Sequence, residues 1–306
     1  MDRRQTYALR GICMLMIVAS HVATSVVGDD ATVAWLTRWC GFDRWGEWGT
    51  GVFFFLSGYG MTLSLSRQET LGWHYARRKI VRLFEPYLLF WVFYLVVLLV
   101  LDSKQVDVSL IPAFLTLGMP LGVDAWFFKV IVGVYALMML LYMMPISQRA
   151  RLAVMTAAAV GYYMMMRHWE CGPWWYNTIL NFPLGMCFAL YYDKISRHAF
   201  AVLLLAVAFG VASRFVQAGF VGNTCFTLAC VWLLQYIPVA CRPLVFVGTN
   251  SLFFYFLEEP VYHYLVASAS SCFPLYFFAT IVVVYALVWL YKGLLRHATD
   301  KAGRPQ

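Results

Sequence analysis

Apolar residues run along this chain in long blocks separated by short polar clusters, a pattern that predicts helices of membrane-spanning length rather than strands. About ten such blocks are expected to form helices. They cover roughly 6 to 28, 48 to 66, 83 to 101, 127 to 146, 152 to 166, 174 to 192, 199 to 216, 220 to 237, 246 to 267 and 273 to 295. A β-barrel would alternate apolar and polar positions over segments of about ten residues, and the unbroken blocks argue against one. Residues 109 to 119 are too short to cross a bilayer and are punctuated by Pro112 and Pro120, so an interfacial or re-entrant segment is expected there. The remaining loops leave no room for a large soluble domain, and there is no tandem repeat or low-complexity linker. The expected fold class is all-α: one polytopic integral membrane domain over residues 1 to 306.

Composition strengthens this picture. The chain is 62% apolar and 12% charged, where soluble domains average about 25% charged. With both termini in the cytoplasm, seventeen of the 23 basic residues fall on the inner side. Arg38, Arg44, Lys104, Lys129, Arg167 and Arg214 fall on the outer side, so the bias supports an even number of spans. The net charge of +8 is then explained by topogenesis and anionic lipid, and calls for no nucleic-acid partner. Met1-Asp2-Arg3-Arg4 before an apolar run has the look of a signal peptide. The run carries Arg10 and His21, however, and lacks a small-x-small exit before Asp29 and Asp30, so it is expected to be retained. Eight cysteines without Cys-x-x-Cys spacing indicate neither a zinc site nor a redox motif. Cys40, Cys171 and Cys272 fall at the outer face, where at most one disulfide could form; the alternative is that they are small buried hydrophobes. The longest loops, about 29 to 47 and 102 to 126, are sized to cap an external mouth.

Arg10 and His21 are the polar residues of most interest. Their eleven-residue separation turns a helix through about 1100°, or three turns plus about 20°, so both share one face roughly 16 Å apart. In a membrane such groups are costly unless they face protein or a wet cavity, which makes them candidate site residues. The alternatives are an arginine snorkelling to lipid phosphate and a packed, hydrogen-bonded histidine.

Several segments in order along the chain resemble the acyltransferase-3 family of polytopic membrane acyltransferases. Leu9-Arg10-Gly11-Ile12 followed by His21 resembles its opening, in which an arginine and a histidine are separated by ten residues. Gly51-Val52-Phe53-Phe54-Phe55-Leu56-Ser57-Gly58-Tyr59 is similar to its Gly-Val-x-x-Phe-Phe-x-Leu-Ser-Gly-Phe segment. The run from Arg77 to Tyr87 resembles its basic loop entering the third helix, with Glu85 where a proline or aliphatic residue is common. Ala125-Trp126-Phe127-Phe128, Phe182-Pro183-Leu184-Gly185-Met186 and the run from Asn250 to Pro260 resemble its later segments, with Glu258 in place of a histidine.

The resemblance implies transfer of an acyl group, usually acetyl from acetyl-CoA, to a hydroxyl of a surface polysaccharide, lipid-linked glycan or other envelope molecule. It also implies a multi-pass protein of the inner (plasma) membrane. No permanently bound cofactor is expected; acyl-CoA is a co-substrate, and the lipid bilayer and a hydroxyl acceptor are the other partners. An ester-forming transfer needs a base for the hydroxyl proton and an anchor for anionic CoA. His21 is the natural base, because imidazole titrates close to working pH. Arg10, toward the cytoplasmic end, can hold a phosphate or the thioester region. Arg78 and Arg82 are four apart, share a helical face and suit phosphate contacts, or else anchor the chain to anionic lipid. Glu258 could orient His21 or contact the acceptor; otherwise it is a protonated or ion-paired structural group. Glu258 and the adjacent Glu259 point about 100° apart, so only one readily faces a central cavity. Ser57 lacks a Gly-x-Ser-x-Gly elbow, and the glycines from Gly46 to Gly60 favour close helix packing. Glu170, Trp169, Trp174 and Trp175 lie at an external boundary where an aromatic belt is expected, sugar stacking being the alternative. A transporter, or a non-catalytic relative that binds or exports an acylated product, is the competing class.

Overall fold

The first apolar block folds as α1 (Arg3–Val26), which sits at the centre of the bundle. The computed structural model describes residues 2–26, 31–67, 73–101, 106, 108, 110–118, 125–216, 219–237, 239–266 and 273–302. Among these, the regular structure is helical and contains no strand. After α1 come α2 (Ala31–Cys40), α3 (Trp45–Ser66), α4 (Trp73–Leu101) and the short α5 (Leu110–Leu115). Then follow α6 (Trp126–Met143), α7 (Gln148–His168), α8 (Asn181–Ser196), α9 (Ala199–Val216) and α10 (Gly219–Tyr236). The last are α11 (Arg242–Thr249), α12 (Ser251–Pro260) and α13 (Phe273–Ala302).

Three predicted blocks differ from what is observed. The block expected from 83 begins at Trp73, so the basic run from Arg77 to Arg82 lies within α4 and not in a loop before it. The block expected from 174 begins as a helix only at Asn181, because Pro173–Trp175 forms a 3-10 turn and residues 176 to 180 continue as turns. The block expected over 246 to 267 is not one helix. It breaks at Asn250, whose side-chain amide donates to the Phe246 carbonyl (2.9 Å) and ends α11. It changes again after Pro260, which supplies no backbone N–H, into a π-helical turn over Val261–Val266. The segment expected to be interfacial or re-entrant contains α5, and Tyr87 donates its hydroxyl hydrogen to the Phe114 carbonyl there (2.8 Å). Cys40 and Cys171 are free thiols, while Asp29, Asp30, Lys104 and Cys272 lie outside the described residues.

Among the described residues, Arg3–Thr24, Arg77–Leu101, Trp126–Met143 and Phe273–His297 are long and apolar enough to cross a membrane. Ala199–Ala212 and Gly219–Leu233 are apolar but shorter. The outward faces agree: Leu88, Val92, Val96 and Leu99 on α4, and Phe278, Val282 and Trp289 on α13, are exposed at helical spacing. Such stripes suit lipid, where an apolar face carries no hydration cost.

Glycine sets how closely the central helices approach. A methyl at Gly49 would meet the Cys13 carbonyl (2.7 Å) and one at Gly46 would meet Ser20, so α3 runs antiparallel to α1. Gly11 abuts the Leu244 backbone and Gly248 abuts the Tyr7 carbonyl, which seats α11 on α1. Gly58 and Gly185 do the same for α3 and α8, as the glycine run predicts, whereas Gly60 faces open space. Between these helices Asn181 Nδ2 donates to Asn223 Oδ1 (2.6 Å), and Asn223 Nδ2 donates to the Glu47 carbonyl (2.7 Å). Both amides are fully buried. Replacing Asn223 with leucine leaves the Asn181 amide and the Glu47 carbonyl short of these partners. The expected loss is about 1–3 kcal/mol for each stranded group, read as a lower midpoint of thermal aggregation in detergent.

Candidate active site

On α1, Arg10, Met14, Ile17 and His21 recur at intervals of four, three and four, and so form one stripe along the helix. Arg10, Met14 and Ile17 line a cavity of about 90 Å³ that lies between α1, α3, α4, α6 and α12. Thr50 and Ser57 of α3, Tyr135 of α6 and Tyr255 of α12 add hydroxyl groups to its wall. The Thr50 hydroxyl donates to the Gly46 carbonyl (2.8 Å), so its hydrogen is already committed. Arg10 Nε is buried without a hydrogen-bond partner among the described residues, and the guanidinium carbon lies 5.9 Å from the Tyr7 ring centre. A buried donor on a cation at a cavity wall is matched to an anionic or carbonyl-bearing ligand.

Beyond Ile17 the stripe reaches His21, whose Nδ1 lies 2.7 Å from Glu258 Oε1. Glu258 is 1% exposed and the imidazole 36% exposed. With Glu258 ionised, Nδ1–H donates to the carboxylate and the lone pair resides on Nε2, the arrangement of a base oriented by an acid. The contact exists because α11 and α12 run alongside α1 in the same direction: Gly248 meets Tyr7, and ten residues later Glu258 meets His21. Of the two adjacent glutamates, Glu258 is therefore the one that turns to α1. Glu259 is also buried, and its Oε1 lies 4.0 Å from His263 Nε2. Glu258 Oε2 and Glu259 Oε1 have no hydrogen-bond partner among the described residues.

At the Arg10 end, α4 contributes Leu83 to the cavity wall, and the basic run lies in the turns just before it. Lys79 is within Coulombic range of Arg82 and of Arg10, and its ammonium lies 5.4 Å from the Tyr75 ring centre. Arg78 and Arg82 are exposed on α4. Across the cavity, Ser251 and Leu252 open α12 directly after the break at Asn250 and complete the wall at the Arg10 end.

Glu85, the departure from the family pattern in the basic run, accepts from Lys292 Nζ (2.6 Å) and Tyr291 Oη (3.1 Å). Lys292 Nζ also lies 4.2 Å from the Phe253 ring centre, tying α4, α12 and α13 together. Both charges are about a quarter exposed, 24% and 26%. Solvent therefore screens the pair, and its net worth is about 1 kcal/mol or less. Neutralising either residue is expected to lower the thermal midpoint slightly, and the exchange of Glu85→Lys with Lys292→Glu is expected to restore it.

Of the residues singled out from sequence, Arg10, His21 and Glu258 lie along one α1–α12 seam, whereas Arg82 is exposed and does not line the cavity. Arg78 does not line the cavity, and Ser57 does. Trp169 and Trp174 are exposed, but Trp175 turns inward to within 6.0 Å of Trp126, centre to centre. Sequence reasoning missed Lys79 as a neighbour of Arg10, the Lys292 partner of Glu85, and the Asn181–Asn223 pair. A polar residue at helical spacing inside an apolar block was the available signal for the last.

Residues 7–293, nearly the whole chain, match the family model of an acyltransferase domain, that of acyltransferase-3. No curated protein and no solved structure matches. The match takes in the Arg10 to His21 seam, the glycine-bearing α3, the basic run of α4 and the broken α11–α12, together with helices apolar enough to cross a membrane. The chain belongs to the acyltransferase-3 family and is a membrane acyltransferase.

Proposed function

We propose that the protein moves an acetyl group from cytoplasmic acetyl-CoA to a hydroxyl of a cell-surface polysaccharide or lipid-linked glycan. The observation that carries this reading is the seam itself: an oriented imidazole at one end, and at the other a buried guanidinium at a cavity wall with Lys79 within Coulombic range. CoA carries its negative charge on phosphates and its reactive thioester at the far end of a flexible arm. A site that separates positive charge from a base by roughly 16 Å along one helix is matched to that shape.

His21 Nε2 takes the proton of the acceptor hydroxyl as its oxygen attacks the thioester carbonyl. Glu258 holds the ring and stabilises the imidazolium that forms. The tetrahedral intermediate then breaks its carbon–sulfur bond, and the imidazolium returns the proton to the leaving thiolate. Ester and free CoA are formed, and His21 is neutral again. Arg10 holds a phosphate or polarises the thioester region, and Arg78 and Arg82 meet the nucleotide phosphates. The other helices complete about ten spans with both termini in the cytoplasm of an inner (plasma) membrane protein.

Membranes holding the protein, supplied with labelled acetyl-CoA and a crude glycan fraction, test this beside a His21→Ala variant. Label is expected in the glycan with wild-type protein and not with the variant. Transfer that is absent from both, or equal in both, overturns the reading and favours a transporter or a binding protein.

A further inference from the structure

The polar groups of the cavity beside α1 gather at one end. Gly46 of α3 meets Ser20, and Gly49 meets Ile17 and the Cys13 carbonyl, so α3 runs along α1 from the His21 end toward Arg10. Ser57, eight residues past Gly49, lies about 12 Å further on, at the level of Arg10. α6 accompanies α3 in the same direction: Phe127 packs on Phe53 and Phe54, and the Tyr142 and Ser66 hydroxyls are 3.3 Å apart at the far end. Tyr135, eight residues past Phe127, therefore also stands at the Arg10 end. Arg10 Nε is buried there without a hydrogen-bond partner among the described residues. Toward His21 the wall turns apolar with Ile17 and Phe53, and the Thr50 hydroxyl is already committed to the Gly46 carbonyl. The space is about 90 Å³. An apolar cavity of about 150 Å³ takes a benzene ring, so a purine stays outside and only a slender chain enters.

We propose that Ser57 and Tyr135 are donor-binding residues that, with Arg10, hold the phosphate at the base of the phosphopantetheine arm, so that the cavity selects a donor by its length from phosphate to thioester. In acetyl-CoA fourteen bonds separate the thioester carbon from that phosphorus, which at about 1.1–1.2 Å of advance per bond in an extended chain is about 16 Å. Arg10 and His21 stand roughly the same distance apart along α1. With the thioester at His21, the phosphate therefore falls at Arg10, Ser57 and Tyr135, and the arm lies along Ile17 and Met14. A guanidinium and two hydroxyls supply hydrogen bonds to the phosphate oxygens, which makes Arg10 a phosphate ligand and not a thioester contact. Adenosine remains outside, on the side of the exposed Arg78 and Arg82. This inference rests on acetyl-CoA as the donor, the reading proposed above.

Purified full-length protein in nanodiscs, with labelled CoA displaced by pantetheine or by 4′-phosphopantetheine, tests the assignment without turnover. The phosphate is expected to tighten wild-type binding about 10–100-fold, the range for hydrogen bonds to a charged group. Arg10→Met is expected to reduce that gain below about threefold, and Ser57→Ala and Tyr135→Phe each to reduce it about fivefold, while pantetheine binds all four proteins alike. Length is tested by turnover. An acetyl thioester whose phosphorylated arm lacks the β-alanyl unit keeps its phosphate and falls about 5 Å short of His21. It is expected to bind within about threefold of acetyl-phosphopantetheine and to transfer at least about 100-fold more slowly, since misplacement by about 1 Å already costs that much. Equal wild-type binding of pantetheine and 4′-phosphopantetheine, or a phosphate gain undiminished in both Ser57→Ala and Tyr135→Phe, overturns the proposal. An Arg10→Met variant that keeps the gain and loses only transfer puts the guanidinium at the thioester and also overturns it, as does a shortened arm that transfers as fast as the full one. The expected phosphate gain in protein that transfers no acetyl from any donor overturns the catalytic reading and supports the donor site, so the two failures are distinguishable.

Discussion

Replacing His21 with alanine is expected to lower acyl transfer by about 10²–10⁴-fold, the range for loss of a positioned general base, without changing the yield of monodisperse protein. The imidazole is partly exposed and its contact to Glu258 is its one side-chain hydrogen bond among those described, so its removal disturbs little packing. Glu258→Gln is expected to act in the same direction but less severely, because the amide keeps the shape and loses the charge that stabilises the imidazolium. The double variant is expected to be no slower than His21→Ala alone, since Glu258 acts only through the ring it orients. Additive losses in this cycle, measured as initial rates of labelled acetyl transfer, contradict a base oriented by Glu258. The assay also has a pH signature. A base must be unprotonated to work, so the wild-type rate is expected to fall as pH drops through the imidazole titration, and the residual rate of His21→Ala is expected to lack that limb.

The second large effect concerns assembly. Gly248→Leu is expected to reduce recovery of folded protein sharply, and to abolish transfer in what remains. A Cβ at Gly248 would overlap the Tyr7 carbonyl and also meet Gly11 N at 2.7 Å. Those obstacles are backbone atoms, which cannot swing aside as a side chain would. Overpacking in a core costs about 1–3 kcal/mol when side chains can adjust, and the lower limit applies least here. Relief requires α11 to lift from α1, and α12 follows it, so Glu258 leaves His21. Gly60→Ala is the control: its Cβ meets nothing within 4 Å, and neither recovery nor rate is expected to change. Equal recovery for the two variants, measured by size-exclusion chromatography, overturns the close α1–α11 seating.

Much of this site was readable from spacing. The helix angle between Arg10 and His21 places both on one stripe, and the structure adds Met14 and Ile17 between them as cavity wall. The choice between Glu258 and Glu259 was open in the sequence. Two neighbours on a helix diverge by about 100°, but which of them faces α1 depends on how α11 is seated, a tertiary fact set by Gly11 and Gly248. The helix break at Asn250 was hidden for a related reason. Phe246, Val247, Leu252 and Phe253 flank it on both sides, so one apolar block spans the short Gly248–Ser251 run at which the helix is interrupted. The turns before Asn181 show the opposite error, in which tryptophans that line a boundary or a cavity were counted into a helix. Glu85 was visible as an oddity in the basic run, yet its partner lies 207 positions away, beyond any local pattern.

The most direct measurement uses purified protein in proteoliposomes, with acetyl-CoA on the side of Arg10 and a glycan acceptor, and follows release of CoA thiol together with formation of the acetyl ester. Wild-type protein is expected to release thiol and form ester in equal amounts once acceptor is added, and His21→Ala is expected to do neither at a comparable rate. Ester formation that His21→Ala leaves intact, or thiol release with no ester at all, contradicts transfer from acetyl-CoA through His21.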